Sequence, residues 1–291
     1  MAENQQDKAL QAFRTKIDGI DEQIISLLKA RMEVIAEVAE YKKNNLEKFF
    51  IKSAREADMI KELVKKAGVD FPKILIVDLW RKIITAANMR EQKLAVALHN
   101  PKNLAIYPAL VRGYYCDSLP LTNFDSAASV VLELEKNEAQ IGIFVLPHQN
   151  DEREKKEDMN ENWWMTLANN HLGLKVFAKI PFVEFPNDEQ NQIQLVAVAI
   201  KEPEKSSSDN TLLYVEAAKE ISTSQILVAL KEQNFSAKIL KSVKLQQVDG
   251  IAFHLIELEG FHQETELAAF TKSKLRPFIK ILGHYATPIK L

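Results

Sequence analysis

From Leu10 to Val38, apolar residues return every three or four positions: Leu10, Phe13, Ile17, Ile20, Ile24, Leu27, Leu28, Met32, Ile35 and Val38. That spacing is the period of an amphipathic helix. The stretch Leu10–Lys42 holds no proline and only Gly19 among glycines, so the pattern predicts one long helix ending near Asn44. Ser53-Ala54-Arg55-Glu56 has the form of a capping box and predicts a second helix that stops near Gly68. A third starts around Asp70–Pro72, where proline suits a first turn, and carries Ile76, Leu79, Trp80, Ile83, Ile84, Ala87 and Glu91. Roughly ninety residues in three helices, one of them very long, cannot bury a good core alone. The long helix therefore calls for a partner, most simply a second copy of the chain.

Near residue 94 the period changes from helical to mixed. Leu94–Leu98, Ile141–Leu146, Leu174–Phe182 and Ile193–Ile200 read as strands; Tyr107–Tyr115, Ala127–Lys136 and Trp163–Asn170 read as helices. Residues 149–162 are charged and polar and read as a solvated loop. Lys201–Asn210, with Pro203 and three serines, reads as a linker. The remainder orders as strand Leu212–Ala217, helix Ser222–Gln233, strands Ser236–Lys244 and Ile251–Glu259, helix Glu264–Lys272 and strand Phe278–Leu282. That βαββαβ order is the ferredoxin-like arrangement. The expected fold class is a multidomain α plus α/β chain: a helical domain over 1–93, a small α/β domain over 94–205 and a βαββαβ domain over 210–291.

Among the cations on the first helix, Arg14, Arg31 and Lys42 carry the candidate chemistry. Arg31 and Lys42 are eleven residues apart, about three turns, so they share a face with Ile35 and Val38 between them on the apolar side. Cations aimed toward a buried side are costly unless an anion meets them. Arg14 precedes Arg31 by seventeen residues, ~25 Å along the axis, too far for one small ligand to touch both. An antiparallel second helix could bring Arg14 of one chain to Arg31 of the other.

Composition narrows the classes. The chain has 291 residues, 46% of them hydrophobic, and a formal net charge of −2, which argues against general nucleic-acid binding. Its single cysteine, Cys116, excludes an intrachain disulfide and fits a reducing cytoplasm. The polar N-terminus shows no signal peptide, and no run approaches the length of a membrane span. The six histidines, at 99, 148, 171, 254, 262 and 284, lack metal-ligand spacing, so no metal is expected. No Walker loop or dinucleotide fingerprint is present, and no cofactor is expected. Trp163-Trp164 reads as packing rather than a ligand platform.

Residues 8–93 resemble the all-helical class of chorismate mutase. The resemblance rests on Phe13-Arg14-Thr-Lys-Ile17-Asp18-Gly-Ile20-Asp21, Leu27-Leu28-Lys-Ala-Arg31-Met32, Val38-Ala-Glu-Tyr-Lys42, Ala54-Arg55-Glu56, and Leu79-Trp80 through Glu91. It implies an intertwined homodimer in which each active site borrows an arginine from the other chain. The later region resembles the prephenate dehydratase and ACT-type regulatory regions that follow this mutase in bifunctional enzymes. Gln140-Ile-Gly-Ile-Phe-Val-Leu-Pro147 and Ile281-Leu-Gly-His-Tyr285 are its clearest pieces. The dehydratase Thr-Arg-Phe triplet occurs nowhere in the chain, and His99-Asn-Pro-Lys-Asn103 replaces its Gly-rich opening. Ser224-Gln-Ile-Leu-Val228 and Leu240-Lys-Ser-Val243 stand where phenylalanine-binding motifs would fall. No dehydratase activity and no intact phenylalanine site are expected.

The resemblance implies a cytoplasmic chorismate mutase of the shikimate pathway, feeding phenylalanine and tyrosine synthesis. Its reaction, chorismate to prephenate, is a one-step rearrangement that needs a held conformer and charge stabilisation, without nucleophile, metal or redox group. By resemblance Arg14 of one copy and Arg31 of the other bind carboxylates, guanidinium forks suiting that task. Lys42 meets a carboxylate and the ether oxygen, Glu56 accepts the ring hydroxyl, and Arg55 lies near the substrate. Glu91 falls beside the ether oxygen, where a carboxyl donates only when protonated, so activity is expected to fall as pH rises. A one-residue shift in register places Gln92 there instead. Two positions depart from the family: Lys52 where many members have Asp, and Ala87 where some have Ser. The competing readings are an isochorismate pyruvate lyase, which shares the helical fold and similar cations, and a non-catalytic aromatic-metabolite-binding regulatory protein.

Overall fold

The computed structural model describes residues 2–45, 49–147, 162–185 and 193–290, with side chains from residue 7 onward. His148 and nearly all of the loop expected at 149–162 lie outside the described residues. The chain forms two compact units, residues 1–50 with 87–92 and residues 51–86 with 93–291.

The first unit is built on α1 (Ala2–Asn44), one uninterrupted helix of 43 residues as the apolar period requires. Its stripe is exposed along most of its length: Phe13 is 60% exposed, Ile17 57% and Leu27 71%. Toward its C-terminal end Arg31, Met32, Ile35, Ala36, Val38 and Lys42 are partly buried and Ala39 is fully buried.

The second unit contains α2 (Ser53–Ala67) and most of α3 (Lys73–Glu91), together with the sheet. The helices expected at 53–68 and 72–91 are thus present, but α2 does not open with the expected capping box. Ser53 is itself the first helical residue; Lys52 occupies the N-cap and makes no side-chain cap bond. The Ser53 hydroxyl instead accepts from the Lys201 ammonium at 3.2 Å. A true capping box closes a different helix, α7 (Thr223–Lys231): Ser222 Oγ accepts from the Gln225 N–H at 3.2 Å, and the Gln225 side chain accepts from the Ser222 N–H at 2.9 Å.

The strands are β1 (Val96–His99), β2 (Leu121–Phe124), β3 (Ile141–Val145), β4 (Leu174–Ile180), β5 (Val183–Glu184), β6 (Leu195–Ile200), β7 (Asp209–Ala218), β8 (Ala237–Val243), β9 (Ile251–Glu259), β10 (Phe278–Ala286) and β11 (Ile289–Lys290). Between them run α4 (Ile106–Tyr114), α5 (Ala127–Glu135), α6 (Trp163–Ala168) and α8 (Ala268–Thr271). β1, β2 and β3 are parallel neighbours, and β6 joins β3 and β4 antiparallel. β2 escaped the sequence pattern because Leu-Thr-Asn-Phe alternates poorly; pairing with β1 at the sheet edge makes it a strand. The helix expected at 264–272 contracts to α8, since turns carry Gln263 to Leu267.

The last four long strands pair in the order β10-β7-β9-β8, all antiparallel, which is the βαββαβ arrangement expected from their sequence order. They do not form a separate sheet. β10 also pairs in parallel with β4, giving one nine-stranded sheet, β2-β1-β3-β6-β4-β10-β7-β9-β8. The joint rests on Gly283, paired with Val176. Its φ is +149°, and a Cβ there would stand 2.2 Å from the Val176 carbonyl oxygen. Only glycine permits that approach.

Both faces of the sheet are covered. Along β7, Leu212 and Tyr214 enter a core with Trp163, Trp164, Phe144 and Tyr285, while Leu213 and Val215 enter another with Ile226, Leu230 and Phe270 of the helices. Successive side chains point to opposite faces, so a strand covered on both sides reads as a continuous apolar run. Trp163 and Trp164 are fully buried, Trp163 stacking on Phe144 with ring centres 4.9 Å apart. Packing, not ligand display, is their role.

Candidate active site

In the first unit, Lys42 reaches from α1 to three partners. Its ammonium donates to the Glu91 carboxylate and to the Phe50 carbonyl at 2.9 Å, and stands 5.3 Å from the Phe50 ring centre. Both charged side chains are nearly enclosed, 11% and 5% exposed. Gln92 does not take Glu91's place: its Oε1 accepts from the Phe50 N–H at 3.2 Å. Glu91 as found is an acceptor, so donation to an ether oxygen would require it to hold a proton. Ala87, one turn earlier, is buried and leaves no polar atom there.

Arg31 lies three turns before Lys42 on α1. Its Nη1 is buried and has no hydrogen-bond partner among the described residues. A buried guanidinium nitrogen without an acceptor is costly, and an anionic oxygen would remove that cost. Arg14 is exposed, as is Arg55.

Glu56 belongs to the second unit. With the capping box absent, its carboxylate faces the Arg81 guanidinium at 3.4 Å, and both are largely buried, 14% and 7% exposed. Arg81 rises from α3 toward Tyr114 at the end of α4, 4.4 Å from that ring centre, and 4.8 Å from the Phe182 ring centre. Burial pushes the Tyr114 hydroxyl up to about 12, with Arg81 pulling it down and Glu56 pushing it up. Lys52 is half-exposed and 3.8 Å from Glu204. Lys201 holds the start of α2 through the Ile51 carbonyl and Ser53; burial lowers its pKa, opposed chiefly by Glu204.

Arg81 was not singled out from the sequence, although a signal existed. Val77, Arg81, Ile84, Thr85 and Asn88 follow one another at helical spacing and are all buried. Three polar residues on the inward face of a helix mark a place where packing alone does not explain the sequence.

Residues 13–92 match the family model described as Chorismate mutase type II, so the helical region is a domain of that family. A curated relative, the bifunctional chorismate mutase/prephenate dehydratase of Aquifex aeolicus (strain VF5), is 32% identical over 137 residues. Those residues are 46% of this chain and 38% of the relative, so the match spans about two fifths of that protein's length. Among solved structures, prephenate dehydratase from Streptococcus mutans superimposes with a TM-score of 0.47 at 15% identity, over 68% of this chain and 100% of that one. GqqA, described as a novel type of quorum quenching acylase, gives 0.48 at 12%, over 67% and 96%. The prephenate dehydratase of Staphylococcus aureus subsp. aureus Mu50 gives 0.45 at 8%, over 66% and 100%. All three lie below a TM-score of 0.5 and are similarities only.

Proposed function

We propose that this chain is a chorismate mutase, converting chorismate to prephenate in aromatic amino-acid biosynthesis in the cytoplasm, and that it has no dehydratase activity. The observation that carries the reading is the buried, unpartnered Nη1 of Arg31 on the helix that also presents Lys42, within a region matching the mutase family. The substrate is a dicarboxylate, and the two cations supply the charge-assisted donors it requires. Arg14 completes the site from a second copy. Its exposure, amid an uncovered apolar stripe, supports an antiparallel homodimer through α1. Glu56 accepts the ring hydroxyl, with Arg55, Lys52 and Ala87 around the substrate. The missing Thr-Arg-Phe triplet supports the absence of dehydration.

Glu91 lies beside the ether oxygen, and Glu91→Gln places an amide donor there. Turnover by the variant at the wild-type level or above is expected, and loss of turnover would remove Glu91 from this position.

The test is chorismate consumption by the purified chain, with prephenate separated from phenylpyruvate. Prephenate as sole product is expected. Phenylpyruvate would restore a dehydratase, and no turnover in acidic or neutral buffer would overturn the mutase reading.

A further inference from the structure

The mutase family model ends at residue 92, yet the carboxylate assigned here to the substrate hydroxyl is held by groups that reach well past it. Glu56 on α2 meets Arg81 on α3. Arg81 in turn lies within 5 Å of two ring centres, Tyr114 of α4 at 4.4 Å and Phe182, which follows β4, at 4.8 Å. All four residues belong to one compact unit, which joins α2 and most of α3 to the sheet. Arg81 is 6% exposed, and its Nε is buried without a hydrogen-bond partner among the described residues.

These facts bear on what Arg81 does. A guanidinium carries five N–H donors in a fixed plane. Here the Glu56 contact is a single Nη1–Oε2 approach, 3.4 Å long, and Nε makes no bond. The rings constrain where the plane of the cation lies, because a guanidinium stacks on aromatic faces whereas an ammonium is a point charge. The cation is therefore flanked by aromatic residues of the α/β region, and it is one of the groups that direct the Glu56 carboxylate. A carboxylate that must accept a hydrogen bond from one hydroxyl of a bound substrate needs that fixed direction, since small displacements of a binding group reduce turnover strongly.

We propose that Arg81 is a positioning residue for Glu56, and that Tyr114 and Phe182 of the α/β region thereby belong to the mutase machinery. The inference rests on the assignment of Glu56 to the substrate hydroxyl. It adds that the helical region does not orient that group by itself.

The experiment is a double-mutant cycle in the full chain, reading kcat and KM for chorismate. Glu56→Gln should lower kcat/KM, and Arg81→Met should lower it by a similar factor, about tenfold or more. The double variant should be no worse than Glu56→Gln alone, because Arg81 acts only through that carboxylate. Arg81→Lys keeps the charge and loses the stacked plane, so it should recover part of kcat. Tyr114→Leu should lower kcat/KM in the wild-type background and have no effect beside Glu56→Gln. Losses that add would show a purely structural role and overturn the proposal. Should Arg81→Met fail to fold, Arg81→Lys and Tyr114→Leu close the same cycle. A wild-type-like Glu56→Gln in an active enzyme would overturn the Glu56 assignment, while an inert wild-type chain would overturn the mutase reading itself.

Discussion

α1 and β7 are both rich in apolar residues, and the chain treats them in opposite ways. β7 is covered on each face by side chains of its own molecule, and Leu212, Leu213 and Val215 are fully buried. α1 carries an equally regular stripe, yet Leu10, Phe13, Ile17, Ile20 and Ile24 stay in water. A contiguous exposed stripe of this kind marks an interaction surface. The strand's pattern is satisfied by the fold of one chain; the helix's pattern is the surface on which the proposed dimer rests. The charged residues follow the same division. Lys42 and Glu91 neutralise one another, whereas Arg31 retains a buried nitrogen with no acceptor.

The strongest way to break this comparison is to place charge on the stripe. If the proposed dimer forms through α1, Ile17→Asp with Ile24→Asp should abolish it, each buried carboxylate costing several kcal/mol at an apolar interface, about enough to shift assembly completely. Sedimentation equilibrium reads the mass, and mutase turnover should fall with it. A variant that remains dimeric would show that α1's stripe is not the interface.

Next in size is Lys42→Met, which leaves the stripe intact and removes a preorganised donor. A loss of 10²- to 10³-fold in kcat is expected, roughly 3–4 kcal/mol. Turnover near the wild-type level would separate the Lys42–Glu91 pair from chemistry and make it a packing feature of α1.

Gly283→Ala attacks the other side of the comparison, the self-sufficient sheet. The added methyl meets Val176 backbone atoms, so β10 and β4 must part or bend. Overpacking of this kind costs about 1–3 kcal/mol, read as a lower urea midpoint. An unchanged midpoint would show that the β4–β10 joint contributes little to the sheet.

A further effect, confined to acidic solution, is on pH dependence. Burial, with Lys244 second, lowers the His254 pKa to about 4, whereas the unfolded chain binds that proton near 6.5. The neutral ring's contribution is whole above pH 6.5 and is lost progressively as pH falls toward 4, because only the unfolded state takes up the proton there. Urea midpoints measured over that window should decline, and His254→Gln should decline less. Parallel curves would remove His254 as the cause.

Particular residues show what could be read in advance. The helical period of α1, the spaced set Arg14, Arg31 and Lys42 on it and the strand order of the last eighty residues are legible because each depends on local spacing. The mutase resemblance followed from the same spaced residues, and the family match over 13–92 agrees with it. The capping box at Ser53 was misread because Lys201, remote in sequence, takes the serine hydroxyl. β2 was invisible because its strand character comes from the β1 edge rather than from its own alternation.

The sequence by itself determined the helices, most strands and the set of charged residues, since period, turn chemistry and side-chain type act over a few residues. Only tertiary structure decided that the two β-containing regions share one sheet, that Lys42 turns to Glu91, and that Glu56 is held by Arg81 among Tyr114 and Phe182. Those contacts join positions tens of residues apart, and their partners are selected by packing and by the cost of leaving a buried charge unmatched.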